Sequence, residues 1–507
     1  MAKPIQSILI VGGGTAGYMC AAALVAALPK TVSVTLIESA AIGTVGVGEG
    51  TLPSIRRFNA HVGLDEVDFI RRCEASFKLG VDFVDWGHAG NRYFHAFGDY
   101  GAEVEAIQPY ALWRRLRELG DPTPLVDYNV PAQIARANRF LPPNPDPRSP
   151  LHDYSYAFHF DASLYAGLLQ ELVLKRGVTR IDARIAHVRL KPDDGFIAGV
   201  TLDDGREIDA DFFIDCSGFR GLLIEEALKI GYTDWSHWLP VDGAWAVPTA
   251  KSGDTTPYTR STAREAGWQW RIPLQHRTGN GHVFSSRFTT PETARDTLVN
   301  NLDGAMLKDP MLIRFQTGHR NKFWHKNCIA VGLASGFIEP LESTSINFIQ
   351  TEIARFLDLF PLQGPNPALE DEFNRLTLQE YVRVRDFIIL HYRLNQRAEP
   401  LWRYTATMAI PDELAHKIAV FQARGRVVMH EGDAFSAASW TAIFDGQGVV
   451  SEAYDPLADR LPEADLRGLM QQRRDGIARV VGQLPSLDDF IARHCASPAY
   501  LKSQVIA

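Results

Sequence analysis

The opening forty residues place apolar runs and glycines in the order strand, turn, helix, strand. Ser7-Ile-Leu-Ile-Val11 is apolar after its first residue, the pattern of a strand buried on both faces. Gly12-Gly-Gly-Thr-Ala-Gly17 breaks that run, and an apolar helix follows to Leu28. A second strand, Val32 to Ile37, ends in Glu38. Farther on, Gly177 to Ser217 reads as a strand meander turned by Asp193-Asp-Gly195 and Asp203-Asp-Gly205, then the buried strand Asp211-Phe-Phe-Ile-Asp-Cys-Ser-Gly218. Cys328 to Val331 gives a third apolar strand, which leads through Gly332 and Gly336 to Glu342 and a helix ending near Phe360. Prolines at 142, 143, 145, 147 and 150 make the stretch between Leu141 and Pro150 an extended surface loop. After Pro365 helical periodicity takes over, first from Leu369 to Gln396, with Trp402 following. The expectation is an α/β fold with two parts, residues 1–360 and a mainly helical unit over 361–507. No period of roughly 20 to 50 residues repeats, so a solenoid is not expected.

Composition narrows the function. The 507 residues are 46% hydrophobic and 22% charged, as in an ordinary globular chain with real cores. A formal charge of -8 and a pI near 6.0 give no basic footprint for nucleic acid or an anionic membrane. The Ala-rich run from Met19 to Leu28 is too short to span a bilayer, and no signal-peptide pattern precedes Ser7. Cysteines at 20, 73, 216, 328 and 495 are odd in number, scattered and without CxxC spacing, which suggests neither disulfides nor a zinc site. The expected setting is a reducing cytoplasm, and the expected partner a small molecule.

Gly12, Gly14 and Gly17 form GxGxxG between a strand and a helix, where the motif can act. Glycines there allow a tight turn and close backbone approach, so the first amides of the helix starting at Thr15 and Ala16 can hold a pyrophosphate. Glu38, about 20 residues on, stands where an acid accepts hydrogen bonds from an adenosine ribose. The spacing alone fits NAD or FAD. The later strands, with Asp215 and the Gly332 turn, resemble those of flavoproteins of the aromatic-hydroxylase type, in which such segments hold adenine, ribityl chain and isoalloxazine. That resemblance implies FAD in a Rossmann-like fold of the glutathione-reductase or aromatic-hydroxylase kind.

Three segments carry a narrower likeness: Ala75-Ser-Phe-Lys-Leu-Gly-Val-Asp-Phe83, Gly267-Trp-Gln-Trp-Arg-Ile-Pro273, and Phe337-Ile-Glu-Pro-Leu-Glu-Ser-Thr-Ser-Ile346. With Tyr93-Phe-His-Ala-Phe97, Phe158-His-Phe-Asp161, Asp215-Cys-Ser-Gly-Phe-Arg220 and Arg385-Asp-Phe-Ile-Ile-Leu-His-Tyr392, they spread over nearly the whole chain and resemble the flavin-dependent tryptophan halogenases. The resemblance implies an enzyme that uses reduced FAD, oxygen and a halide, bromide or chloride, to halogenate an electron-rich aromatic ring. A halide ion is a nucleophile, so an oxidant must first turn it into an electrophile; the cofactor carries that chemistry while the protein positions the reactants.

The same likeness implies roles for single residues. Lys78, taken alone, reads as a surface lysine on an alternating strand; the resemblance makes it the amine that receives hypohalous acid and presents it to the ring. Glu342 taken alone is a helix cap; the resemblance makes it a second catalytic residue, able to orient the lysine, take a proton or stabilise the charged ring. Thr344 and Ser345 are implied as the halide site, and Glu49, Ile185, Leu333 and Ile346 as further FAD contacts. Trp268 and Trp270, two apart on a strand, share a face; by composition they are core residues, and by resemblance a partition between flavin and substrate. His95 and Phe97, with Trp440 opposite, are implied as an aromatic slot for an indole. The first part, 1–360, is then an FAD-binding and halide-activating domain with inserted substrate-facing segments, and the mainly helical 361–507 covers the substrate.

Two departures shift the expectation. Ser345 stands where the family usually has glycine, and Val427-Val-Met-His-Glu-Gly-Asp-Ala-Phe-Ser436 lacks the paired tyrosines that tryptophan-specific members place near the amino-acid backbone. An indole other than free tryptophan is the expected substrate. No second dinucleotide fold for NADPH is visible, so a separate NAD(P)H-dependent flavin reductase is expected to supply reduced FAD; a homodimer is left open. A flavin-dependent aromatic monooxygenase and a flavin-binding protein without halogenating activity are the alternatives.

Overall fold

The computed structural model describes residues 4–40, 48–152 and 154–501. It divides into two compact units, each gathered from three stretches of chain: 1–75, 160–242 and 314–382 in the first, and 76–159, 243–313 and 383–507 in the second. The change to helices after Pro365 is present, in Pro367–Arg393, Asp412–Arg424, Ala437–Gly446 and Glu463–Gln483. Compactness nevertheless divides the chain elsewhere than at 360–361, because strands far apart in sequence pair: Gly80–Val84 lies parallel to Thr259–Arg264.

The first unit is built on a sheet whose order is Trp324–His325, Cys328–Ala330, Phe212–Asp215, Ser7–Val11, Ser33–Glu38, Thr179–Asp182. Ser7–Val11 sits inside it, parallel to both neighbours, with Leu9 opposite Phe213 on one side and Thr35 on the other. Burial on both faces is why its sequence is continuously apolar rather than alternating. The meander forms a separate antiparallel sheet of Ile185–Leu190, Ile197–Leu202 and Glu207–Asp209. Gly195 (φ 67°) and Gly205 (φ 87°) take the left-handed conformation its turns need. Ile197, Val200 and Leu202 pack with Leu9, Val11 and Phe213 in one core.

In the second unit the strands lie in the order Gly243–Ala250, Arg277–Phe284, Gly267–Pro273, Thr259–Arg264, Gly80–Val84, Arg92–Ala96. Ser76–Lys78 pairs antiparallel with Ala157–Asp161, Lys78 opposite Ala157. Large rings fill the core: Trp86 meets Trp402 at 5.2 Å, Tyr392 at 5.4 Å and Trp268 at 6.3 Å, centroid to centroid. Among the described residues no helix is long and apolar enough to cross a membrane, and no cluster of His, Cys, Asp and Glu is arranged to hold a metal ion. The cysteines are buried and none is in a disulfide.

Candidate active site

The glycine turn of the first unit is shaped for close approach. Gly12 has φ 115°, and a Cβ there would stand 2.3 Å from the Cys216 carbonyl oxygen; at Gly17 a Cβ would stand 1.8 Å from the Gly12 carbonyl oxygen. No L side chain fits either place. The helix Thr15–Ala27 begins from Gly14 with no side-chain cap and no acid in its first turn. Its leading amides, those of Thr15 and Ala16 among them, are thus left for an anionic group such as the FAD pyrophosphate. Glu38 ends its strand with its carboxylate accepting from the Tyr18 hydroxyl at 2.7 Å and the Gln170 amide at 3.3 Å, and paired with Arg180. Asp215, wholly buried, accepts from the amides of Ser217, Leu223 and Ile224 and from the Ser217 hydroxyl. It therefore clamps the loop that leaves the central sheet, and burial still pushes its carboxyl up from the usual range.

A cleft in the same unit is lined by Gly332, Leu333, Gly336, Phe337, Ser345 and Tyr381, among others. Gly332 turns with φ 68°, and a Cβ on it would press on Ala16 and Ile349, both at 3.1 Å. Glu342 ends a short 3-10 turn and is wholly buried, as is Thr344. Ser343, between them, has φ 59°, a strained value for a residue with a Cβ. The helix Ser345–Asp358 then starts with no side-chain cap and no acid in its first turn, and the buried Thr344 hydroxyl has no hydrogen-bond partner among the described residues. A monovalent anion fits such a start. Ile346 is buried one residue on. Glu49 is part-exposed yet enclosed enough that burial pushes its carboxyl up to about 7. Ile185 opens the meander strand, half-buried against the core.

Lys78 belongs to the second unit and is wholly buried, which decides against the surface lysine its strand alone suggests. Its Nζ lies 5.3 Å from the centroid of the Phe97 ring. Beside it, His159 is pushed well below the usual histidine range, first by burial and then by the charges of Lys78 and Arg271. This imidazole is neutral, fixed by the Thr259 hydroxyl at 2.9 Å and the Ser76 hydroxyl at 3.3 Å. Trp268 and Trp270 do share a face of Gly267–Pro273, with rings 6.1 Å apart. Trp270 lies over Gly281 on the neighbouring strand, where a Cβ would stand 2.0 Å from the ring. Trp268 is 1% exposed and its indole N–H has no partner among the described residues.

The expected ring slot takes a particular form. His95 and Phe97 meet edge to face at 6.3 Å, whereas the contact of His95 toward Trp440 runs through Phe387, 5.6 Å from His95 and 5.0 Å from Trp440. Phe435 stacks on Phe387 at 3.9 Å. Trp440 is buried, with the Lys417 ammonium 3.9 Å from its ring centroid. Phe387 and Phe435 thus pack where the expected slot would lie, two rings the sequence did not single out.

A model of the tryptophan halogenases matches residues 7–463. The chain belongs to that family. Halogenases of known structure share the fold throughout: BrvH, a flavin-dependent halogenase from Brevundimonas sp. BAL3, superposes with a TM-score of 0.94 at 45% identity, covering 97% of this chain and 99% of that one. The tryptophan 6-halogenase SttH of Streptomyces toxytricini gives 0.89 at 32% identity, with 97% and 100% covered. Among curated relatives, the 7-chloro-L-tryptophan 6-halogenase KtzR of Kutzneria sp. (strain 744) is 33% identical over 96% of this chain and 99% of its own. The protein is a flavin-dependent halogenase with the FAD-binding Rossmann-like fold, acting on an aromatic substrate, in a family that works with FAD, a halide and, typically, a flavin reductase.

Several residues of this halogenase site carry little or no mark in the sequence. Phe387 stands inside a family-like segment, but nothing in Arg385–Tyr392 says which ring packs between His95 and Trp440. His159 is visible only as part of a motif. Glu352 has a signal: it lies on the apolar stripe of its helix, three residues after Ile349 and four before Phe356, where an acid is out of place.

Proposed function

We propose that this halogenase acts on an indole other than free tryptophan, in a two-component system in which a separate reductase delivers reduced FAD. Held along the Gly12–Gly17 turn and the Gly332 cleft, the reduced flavin with oxygen would oxidise the halide to hypohalous acid. The chain's own residues position the halide and then carry the electrophile to the ring. Thr344 and Ser345 seat the halide at an uncapped helix start. Trp268 and Trp270 form the aromatic partition that keeps the cofactor's oxidant from the ring. Lys78 receives the hypohalous acid through its amine and holds it for an indole set against His95, Phe97 and Trp440. The ring carbon forms its bond to halogen as the halogen–oxygen bond breaks, and the ring proton and hydroxide leave together as water; Glu342 is the carboxylate that takes the proton on its way out.

The observation that carries this reading is Lys78, a wholly buried amine over an aromatic ring. The test supplies the protein with FAD, NADH, an unrelated flavin reductase, oxygen and either chloride or bromide, then follows indole and tryptophan in competition by mass spectrometry. Halogen isotope patterns on indole, at C3 as its most electron-rich carbon, with a higher kcat/KM than tryptophan are expected. A clear preference for free tryptophan overturns the substrate, and oxygenated products without halogen overturn the reaction.

A further inference from the structure

Glu352 sits wholly buried behind the Gly332 cleft, within a cluster whose protons can be counted. Its Oε2 accepts from the Gly332 amide at 2.8 Å. Its Oε1 lies 2.6 Å from the Ser335 Oγ, and that same Oγ lies 2.7 Å from the Gly332 carbonyl oxygen. The Tyr381 hydroxyl completes the group, 3.0 Å from Ser335 Oγ and 3.2 Å from Glu352 Oε1. A serine hydroxyl owns one proton, a carbonyl oxygen and a carboxylate none. If Ser335 gives its proton to the Gly332 carbonyl, the 2.6 Å approach to Oε1 sets lone pair against lone pair. If it gives the proton to Oε1, the 2.7 Å approach to the carbonyl does so instead. The tyrosine proton lies on neither line. One further proton on Glu352 Oε1, donated to Ser335 while Ser335 donates to Gly332, satisfies both contacts, and Tyr381 then donates to either oxygen.

The cluster also touches the cleft. Gly332 and Tyr381 line it, with Tyr381 stacked on Phe348, another lining residue, at 4.1 Å. None of the lining residues is charged. A carboxylate immediately behind this wall would disfavour any anion in the cleft, and the lost O–H would free the Ser335 and Gly332 turn. We propose that Glu352 is held protonated as a positioning residue for this wall, and that losing its proton weakens halide binding at the Thr344 and Ser345 helix start. The inference rests on the halogenase reading of that cleft.

Charges facing Glu352 set where this happens. Burial pushes its carboxyl up to about 8, against the hydrogen bonds from Ser335 and Gly332; Glu380 adds to the rise and Arg355 opposes it. Glu380 and Arg355 pair with one another, and the neighbouring thiol of Cys216 is itself held neutral by burial. The acid is therefore neutral at pH 7 and ionises in a mildly alkaline window.

The decisive experiment compares wild-type holoenzyme with Glu352→Gln, whose amide donates to Ser335 and accepts from Gly332 as the protonated acid does. Infrared difference spectra should show a protonated carboxylic carbonyl in the wild type at neutral pH that fades through about pH 8 and is missing from the variant. Bromide KM should rise in the wild type above that pH, approaching about tenfold per pH unit, and stay level in Glu352→Gln. An ionised carboxylate at neutral pH, or the same alkaline rise in both proteins, overturns the proposal. Absence of any halide-dependent turnover overturns the halogenase reading instead, and the infrared band, which needs no turnover, then still decides the proton.

Discussion

In the first unit the contacts expected for pyrophosphate and halide fall to backbone, at the starts of Thr15–Ala27 and Ser345–Asp358 and along the Gly332 turn, with Glu38 and Glu342 as side-chain exceptions. In the second they would fall to side chains, Lys78 and Phe97 with Phe387, Phe435 and Trp440 from segments about 300 residues later. A backbone site depends on where a chain lacks side chains, and that leaves a spacing in the sequence. A ring-lined site depends on which of many aromatic residues turn inward, and the sequence marks no such choice. The two kinds of site should therefore fail differently.

The largest contrast is between Gly17→Ala and Lys78→Ala. The alanine methyl at position 17 would fall 1.8 Å from a backbone oxygen, so the glycine variant should lose FAD binding, read as unquenched flavin fluorescence, and every activity with it. Lys78→Ala should bind FAD and go on oxidising reduced flavin while ring halogenation disappears. Product and oxygen consumption measured together separate the two, and halogenated product from Lys78→Ala would remove the lysine from the reaction.

A smaller effect is expected at Glu342, a residue of the first unit to which the proposal gives a chemical role. Glu342→Gln should lower turnover about 10²-fold, within the range of a positioned acid or base, with FAD affinity unchanged. If turnover instead stays level, Glu342 is only the end of its 3-10 turn.

The smallest effect should come from Ser345, a departure from the family's usual glycine on a backbone site. Its Cβ and hydroxyl crowd the approach to the helix amides, and chloride, which gives up water less readily than bromide and is harder to oxidise, should suffer more. Bromination should outpace chlorination in the wild type, and Ser345→Gly should raise the chloride-to-bromide ratio severalfold in parallel assays at equal halide. An unaltered ratio would clear the serine and leave the halide preference to be explained by oxidation chemistry.

The legibility of this protein follows the same division. The strand Ser7–Val11, the glycine turn and the Asp-Asp-Gly meander are readable because buried parallel strands and left-handed turns demand particular residues. Glu38 is legible as a strand-end acid, but its capture by Tyr18 and Arg180 is not, since neither partner is local. Lys78 shows the limit most clearly: an alternating strand reads as exposed, and the lysine is buried because Ser76–Lys78 pairs with a strand some 80 residues away. The slot of His95, Phe97 and Trp440 is placed through family likeness alone, and no periodicity points to the intervening Phe387 and Phe435.

The chain passes from one compact unit to the other at 75/76, 159/160, 242/243, 313/314 and 382/383. No single cut releases either unit with its own strands intact. Truncating the helical end would strip the second unit of Phe387, Phe435 and Trp440 while leaving behind strands that need them, so expression of a shortened gene should give insoluble chains rather than a minimal flavin binder. A crossover between relatives at one border would split both units, so libraries for this enzyme should favour scattered point changes.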